Sequence, residues 1–241
     1  MELTEKEAVV MAKNRNLNDA AKAKKDEFYT QLTDIESELN HDEYRKFFKG
    51  KSVYCNCDDY RYSQFSRYFA DNFETLGLNK LTATSYAEQG NFAVITRGGR
   101  ENGLLQGNGD FRSAECIEIL KQADVVVTNP PFSLFREYVA QLMQFKKSFV
   151  ILGNKNAITY KEIFPLIQQN KMWAGYTKWA GGLWFVSAVP EVFDKEVDGV
   201  KLKNTAAIWF TNIPLKNFKK NYFWCRNIRP KNIRAMIITT Q

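Results

Sequence analysis

The sequence predicts an α/β fold, a mostly parallel, Rossmann-like sheet flanked by helices, and three observations carry that prediction. Ala123-Asp124-Val125-Val126-Val127 is a short β-branched run without polar alternation, the pattern of a strand buried on both faces. It runs into Thr128-Asn129-Pro130-Pro131-Phe132, where two prolines fix φ and remove amide donors, so the strand has to end at Asn129. Apolar residues then recur at helical spacing through Leu134, Phe135, Tyr138, Val139 and Leu142, with Ser133 as the expected cap.

The other elements follow in order. Residues 1–25 read as a basic arm, with clusters at Lys13-Asn14-Arg15-Asn16 and Lys22-Ala23-Lys24-Lys25. Thr33 and Glu36 have the spacing of a capping box for a helix through Ile35 and Leu39. Lys51–Asp59 reads as the first sheet strand, ending in polar residues, and Phe65, Tyr68, Phe69 and Phe73 as the face of the helix that follows. Lys80–Tyr86 and Phe92–Thr96 read as strands, with Arg97-Gly98-Gly99-Arg100 as a hairpin turn into Gly103-Leu104-Leu105-Gln106. Ser113 opens a helix through Cys116, Ile117 and Leu120, Ser148–Gly153 is a further buried strand, and a helix runs over Tyr160, Ile163, Phe164 and Ile167. Trp184 and Phe185 are expected in the core, Glu191–Asp198 in a surface loop, and Thr205–Thr211 in a strand. No linker or repeat divides the chain. It reads as one domain over 1–241, with a catalytic core over 26–211 and a basic aromatic tail over 212–241.

The 241 residues suffice for one substantial core, and the 44% hydrophobic fraction is that of a globular chain. A net charge of +7 favours a polyanionic partner. No apolar run approaches the ~20 residues of a membrane span, and Met1–Asn18 is too polar for a signal peptide. A cytoplasmic protein is expected. Cys55, Cys57, Cys116 and Cys225 form no CxxC pair and His41 is the single histidine, so neither a metal site nor a disulfide framework nor a His-based mechanism is expected.

Three stretches carry candidate chemistry. Ligands of open α/β sheets bind outside the carboxyl ends of the strands. There Asn129 offers an acceptor and a two-hydrogen donor and Phe132 a flat apolar face, a pairing suited to a planar group with an exocyclic amine; a turn with no ligand fits the same residues. Asn56-Cys57-Asp58-Asp59 ends the first strand, with Asp58 and Asp59 as ligand-binding carboxylates or helix caps. Asp110-Phe111 precedes a helix, as ligand contacts or as a cap.

Asn-Pro-Pro-Phe after a hydrophobic strand resembles the signature of S-adenosylmethionine-dependent DNA adenine-N6 methyltransferases. The wider pattern, with Asp26-Glu27-Phe28-Tyr29-Thr30, Cys55-Asn56-Cys57-Asp58-Asp59 and Asp110-Phe111 in the same order, resembles the EcoRI-type adenine-specific family over about residues 21–210. The resemblance implies an S-adenosylmethionine-dependent methyltransferase fold and a restriction–modification setting. It implies S-adenosylmethionine as cofactor and double-stranded DNA as partner, with an adenine flipped from the helix and methylated at N6. Asn129, Pro130 and Phe132 would hold the target base. Phe28, Tyr29, Thr30, Asn56, Cys57, Asp58, Asp110 and Phe111 would line the cofactor. The sequence departs from the general methyltransferase pattern in having no glycine in the cofactor turn and no acid ending the second strand, with Glu88 just beyond. An amine or amide of RNA or protein as substrate, and a non-catalytic DNA-binding relative, are the alternatives.

Overall fold

The computed structural model describes residues 28–177, 181–187 and 191–216. Eight strands form the main sheet: β2 (Ser52–Cys55), β3 (Lys80–Thr84), β4 (Asn91–Thr96), β5 (Gly99–Leu104), β6 (Val125–Thr128), β7 (Ser148–Asn154), β8 (Trp173–Ala174) and β12 (Ala207–Thr211). Their spatial order is β5-β4-β3-β2-β6-β7-β12-β8. The central four, β3-β2-β6-β7, are mutually parallel. The β4–β5 hairpin extends one edge antiparallel to β3, and β12 lies antiparallel between β7 and β8.

Burial explains the sequence pattern. All four residues of β6 are buried, because side chains alternate between two covered faces. Val125 and Val127 join Val53, Cys55, Val150 and Leu152 on one face, under the helices α1 (Leu32–Leu39), α2 (Asp42–Phe48) and α3 (Gln64–Asp71). Val126 joins Tyr54, Phe149 and Ile151 on the other, under α4 (Ala114–Gln122) and α5 (Phe135–Gln144). A short α6 (Phe164–Gln168) follows β7. Gly153 of β7 leaves room for the ring of Phe135, which a β-carbon there would overlap.

A second, four-stranded antiparallel sheet was not legible in the sequence. It joins β1 (Phe28–Thr30), β9 (Leu183–Ser187), β11 (Val200–Thr205) and β10 (Lys195–Val197) in that order. Its Leu183 and Phe185 pack into the core shared with α1–α3. Gln31 Nε2 donates to the Trp184 carbonyl at 2.6 Å, and Glu38 of α1, fully buried, holds the chain leaving β8. The Glu38 carboxylate accepts from Tyr44 Oη at 2.9 Å, Tyr176 N at 2.8 Å, Thr177 N at 2.9 Å and Thr177 Oγ1 at 2.8 Å. The acceptors are filled by neutral donors, which is how a buried carboxylate avoids the cost of isolation.

Several local expectations are corrected. Helix α1 begins at Leu32 with Gln31 as its uncapped N-cap, so Thr33 lies inside the first turn and makes no capping box. Ser133 sits within a 3₁₀ turn, Phe132–Leu134, that follows Pro131, and α5 starts only at Phe135, with Leu134 at its N-cap position. Trp184 is half-buried, with Lys195 Nζ 3.9 Å from its ring centre, whereas Phe185 is core. Glu191–Asp198 is exposed as expected but includes β10. The core continues past Thr211, since Ile213 and Leu215 are buried in it. The arm over 1–25, Lys178 and the tail beyond Lys216 lie outside the described residues.

Candidate active site

From β2 the chain moves outward to β3, β4 and β5, then returns to lay β6 on the other side of β2. The carboxyl ends of β2 and β6 therefore flank a topological switch point, the position at which open α/β sheets bind their ligands. Three loops meet there.

The first is the turn after β2. Asn56 is buried, and it accepts two hydroxyls: Tyr138 donates to its side-chain oxygen and Thr128 to its main-chain carbonyl. Cys57 follows in the left-handed region at φ 56°, the conformation for which glycine is the ordinary choice. The turn therefore has the glycine-like backbone whose absence the sequence suggested. Asp58 N donates to the Thr84 carbonyl at 2.8 Å, tying the turn to the end of β3. The Asp58 carboxylate faces inward, accepting the Ser63 hydroxyl and, at 3.2 Å, the Ser66 amide of the first turn of α3. Ser63 is the N-cap and Asp58 a second anchor of that helix end. Burial pushes the Asp58 carboxyl up to about 7. Asp59 pairs with Arg61 at 2.6 Å and accepts Asn91 Nδ2 at 3.1 Å.

The second loop precedes α4. Glu115 accepts the amides of Gln106 and Gly107 at 3.0 and 3.2 Å, and Ala87 N donates to the Asn108 carbonyl at 2.9 Å. Gly109, at φ 76°, presses against the Ser85 carbonyl, where any β-carbon would overlap it. The loop is thus seated on the end of β3. Asp110 does not cap the helix: Ser113 does, accepting Cys116 N at 3.2 Å. The Asp110 carboxylate instead grips Arg112, with Nε at 2.9 Å and Nη2 at 2.6 Å. That guanidinium holds the Asp110 carboxyl below its usual range. The Phe111 ring is 3% exposed and packs edge-on against Tyr138 at 5.0 Å. Its carbonyl accepts Gln141 Nε2 at 3.0 Å.

The third loop is the stretch after β6. Asn129, Pro131 and Phe132 are half-buried and Pro130 is buried. Leu134 N donates to the Pro131 carbonyl at 3.0 Å, closing the 3₁₀ turn. Phe132 packs on the side of the sheet covered by α1–α3.

The structure thus brings the Asn56-Cys57-Asp58, Asp110-Phe111 and Asn129-Pro130-Phe132 segments to one end of the sheet. It sets Phe28, Tyr29 and Thr30 in the second sheet, with Thr30 opposite Phe185. At the end of β3, where the resemblance expects an acid, the chain has Thr84, Ser85 and the exposed ring of Tyr86. Residue-by-residue reasoning missed Thr128, Tyr138 and Gln141. The available signal was a polar atom inside an otherwise apolar run, since a buried hydroxyl needs a partner.

The sequence profile described as "Adenine-specific methyltransferase EcoRI" matches residues 16–231. The chain belongs to that family. Among family members, the Type II methyltransferase M.EcoRI of Escherichia coli is 43% identical over 230 residues, covering 84% of this chain and 69% of that protein. The Type II methyltransferase M.MpnI of Mycoplasma pneumoniae is 42% identical over 205 residues, covering 81% of this chain and 64% of the relative. The chain therefore spans about two thirds of the length of these curated family members. No solved structure matches. Against the family's implied fold, the mixed sheet with a parallel centre and helices on both faces agrees.

Proposed function

We propose that the chain transfers a methyl group from S-adenosylmethionine to N6 of an adenine in duplex DNA, with the base flipped from the helix. The observation that carries this reading is the placement of Asn129-Pro130-Pro131-Phe132 at the carboxyl end of β6, across the switch point from the Asn56-Cys57-Asp58 turn. When bound, S-adenosylmethionine would supply a methyl group activated by its sulfonium: the S–CH3 bond breaks to a neutral thioether as the N6–CH3 bond forms, and the proton lost from N6 goes to solvent.

The residues present fit that cofactor. The left-handed backbone at Cys57 allows close approach at the switch point, and Asp110, partly exposed, presents a carboxylate to an amine. Asn56, Asp58 and Phe111 contribute from the interior: their side chains hold the turn and the loop, leaving main-chain groups to line the crevice. Phe28, Tyr29 and Thr30 would close the methionine end from the second sheet. On the acceptor side, the Asn129 side-chain oxygen takes one hydrogen of the exocyclic amine and the Pro130 carbonyl the other, and Phe132 stacks on the base. Rigid prolines keep those acceptors fixed, so positioning lowers the barrier without reorganisation. A base within the duplex cannot enter such a crevice, hence the flipping.

Incubation of the chain with methyl-labelled S-adenosylmethionine and, separately, duplex DNA, RNA and protein tests the proposal. Label on N6 of adenine in DNA is the expected result. Label on RNA or protein alone reassigns the acceptor, and DNA binding without cofactor affinity leaves a non-catalytic relative.

A further inference from the structure

The three loops of the site share one support, and it is a single side chain. Tyr138 is fully buried on α5, the helix that continues from the Asn129-Pro130-Pro131-Phe132 turn. Its hydroxyl donates to the Asn56 side chain in the turn after β2. Its ring is the surface on which Phe111 rests edge-on. One helical turn later Gln141 holds the Phe111 carbonyl. Asn56 is gripped a second time by the same unit, since Thr128, the residue before Asn129, donates to its carbonyl. The residue after Asn56 is Cys57, whose left-handed backbone persists only if its surroundings over-determine it.

We infer that Tyr138, assisted by Thr128, is the positioning residue that sets the spacing between the cofactor turn and the target-amine turn. The inference rests on the reading of the site as a methyltransferase centre. Tyr138 touches neither reactant; it acts through Asn56 and Phe111. In an in-line transfer the donor carbon and the acceptor nitrogen have to meet within a few tenths of an ångström, and a displacement of about 1 Å is enough to slow reaction about a hundredfold. Two hydroxyls on one asparagine fix that distance from the acceptor side, because both belong to the strand–turn–helix that carries Asn129.

Tyr138→Phe deletes the oxygen and keeps the ring under Phe111. The expected result is a fall in kcat of about ten- to a hundredfold and a weakening of S-adenosylmethionine binding by calorimetry of about tenfold. KM for DNA should stay near the wild-type value. A variant damaged only in stability would lose active fraction without this split between kcat and KM. Thr128→Val removes the second hydroxyl at nearly constant volume and should show the same split, with Thr128→Ser recovering most of the loss. Wild-type kcat and cofactor affinity in a folded Tyr138→Phe, or equal losses in Thr128→Val and Thr128→Ser, overturn the inference while leaving the proposed function standing. A wild-type chain that neither binds S-adenosylmethionine nor transfers methyl overturns both. If Tyr138→Phe does not fold, the Thr128 pair decides alone.

Discussion

At the scale of single residues, the proposed function divides the side chains at the switch point into those that would meet ligands and those that hold the scaffold. Asn129→Ala should lower methyl transfer by about a hundredfold or more while cofactor binding survives, because on the proposed reading the lost contact is to the acceptor amine; wild-type turnover in this variant sinks the assignment. Asp110→Ala should weaken the cofactor first, by roughly 1.5–3 kcal/mol for a charge-assisted bond, and unchanged calorimetry would reduce Asp110 to a partner of Arg112. Asp58 makes a prediction about pH. Its folded pKa, about 7, lies above the ordinary 3.8, so the native state holds the proton more tightly. Its stabilising contribution is then full below about pH 4 and is lost as pH rises through about 7, on the order of a few kcal/mol. Asp58→Asn keeps an acceptor for Ser63 and Ser66 and cannot ionise. Thermal unfolding midpoints between pH 5 and 8 should therefore fall more steeply in wild type than in the variant, and parallel curves would place the ionisation elsewhere.

At the scale of elements, close approach is what the small residues provide. Gly153 admits Phe135, which in turn seats α5 on the sheet. Gly153→Ala should cost about 1–3 kcal/mol in denaturant unfolding, and Phe135→Leu in the same chain should recover part of it. No recovery would mean that the strain lies in the strand itself. This scale also shows what a linear sequence can reveal. Val125–Thr128, Ser148–Asn154 and the proline turn were legible because burial on two faces and the loss of an amide donor are written into residue type. The hydrogen bonds of Asn56 were not, since their donors come from residues 72 and 82 positions away. Nor was the left-handed turn at Cys57, which local propensity assigns to glycine and only the surrounding contacts impose. Thr33 and Ser133 misled for the complementary reason: capping residues mark where helices can begin, and packing decides where they do.

At the scale of the whole molecule, the surplus of basic residues should show as salt dependence. DNA affinity should fall with a log–log slope of about −0.9 per phosphate contacted. A truncation meant to flatten that slope while sparing the core belongs after Lys216, because Ile213 and Leu215 are buried and Lys216 pairs with Glu43 at 2.9 Å; an unchanged slope would remove the tail from the interface. Glu38→Gln puts an amide where only donors point, and should destabilise by about 1–3 kcal/mol, with faster amide exchange at Tyr176 and Thr177. The Glu38 contact also has a consequence in time. Its partner Thr177 is 139 positions later in the chain, and β1 waits still longer for β9. At roughly 5–20 residues per second, a ribosome needs about 7–28 s to make that span. Throughout it the newly made α1 carries a carboxyl group whose partners at Tyr176 and Thr177 do not yet exist, so those contacts close long after the helix itself has been made.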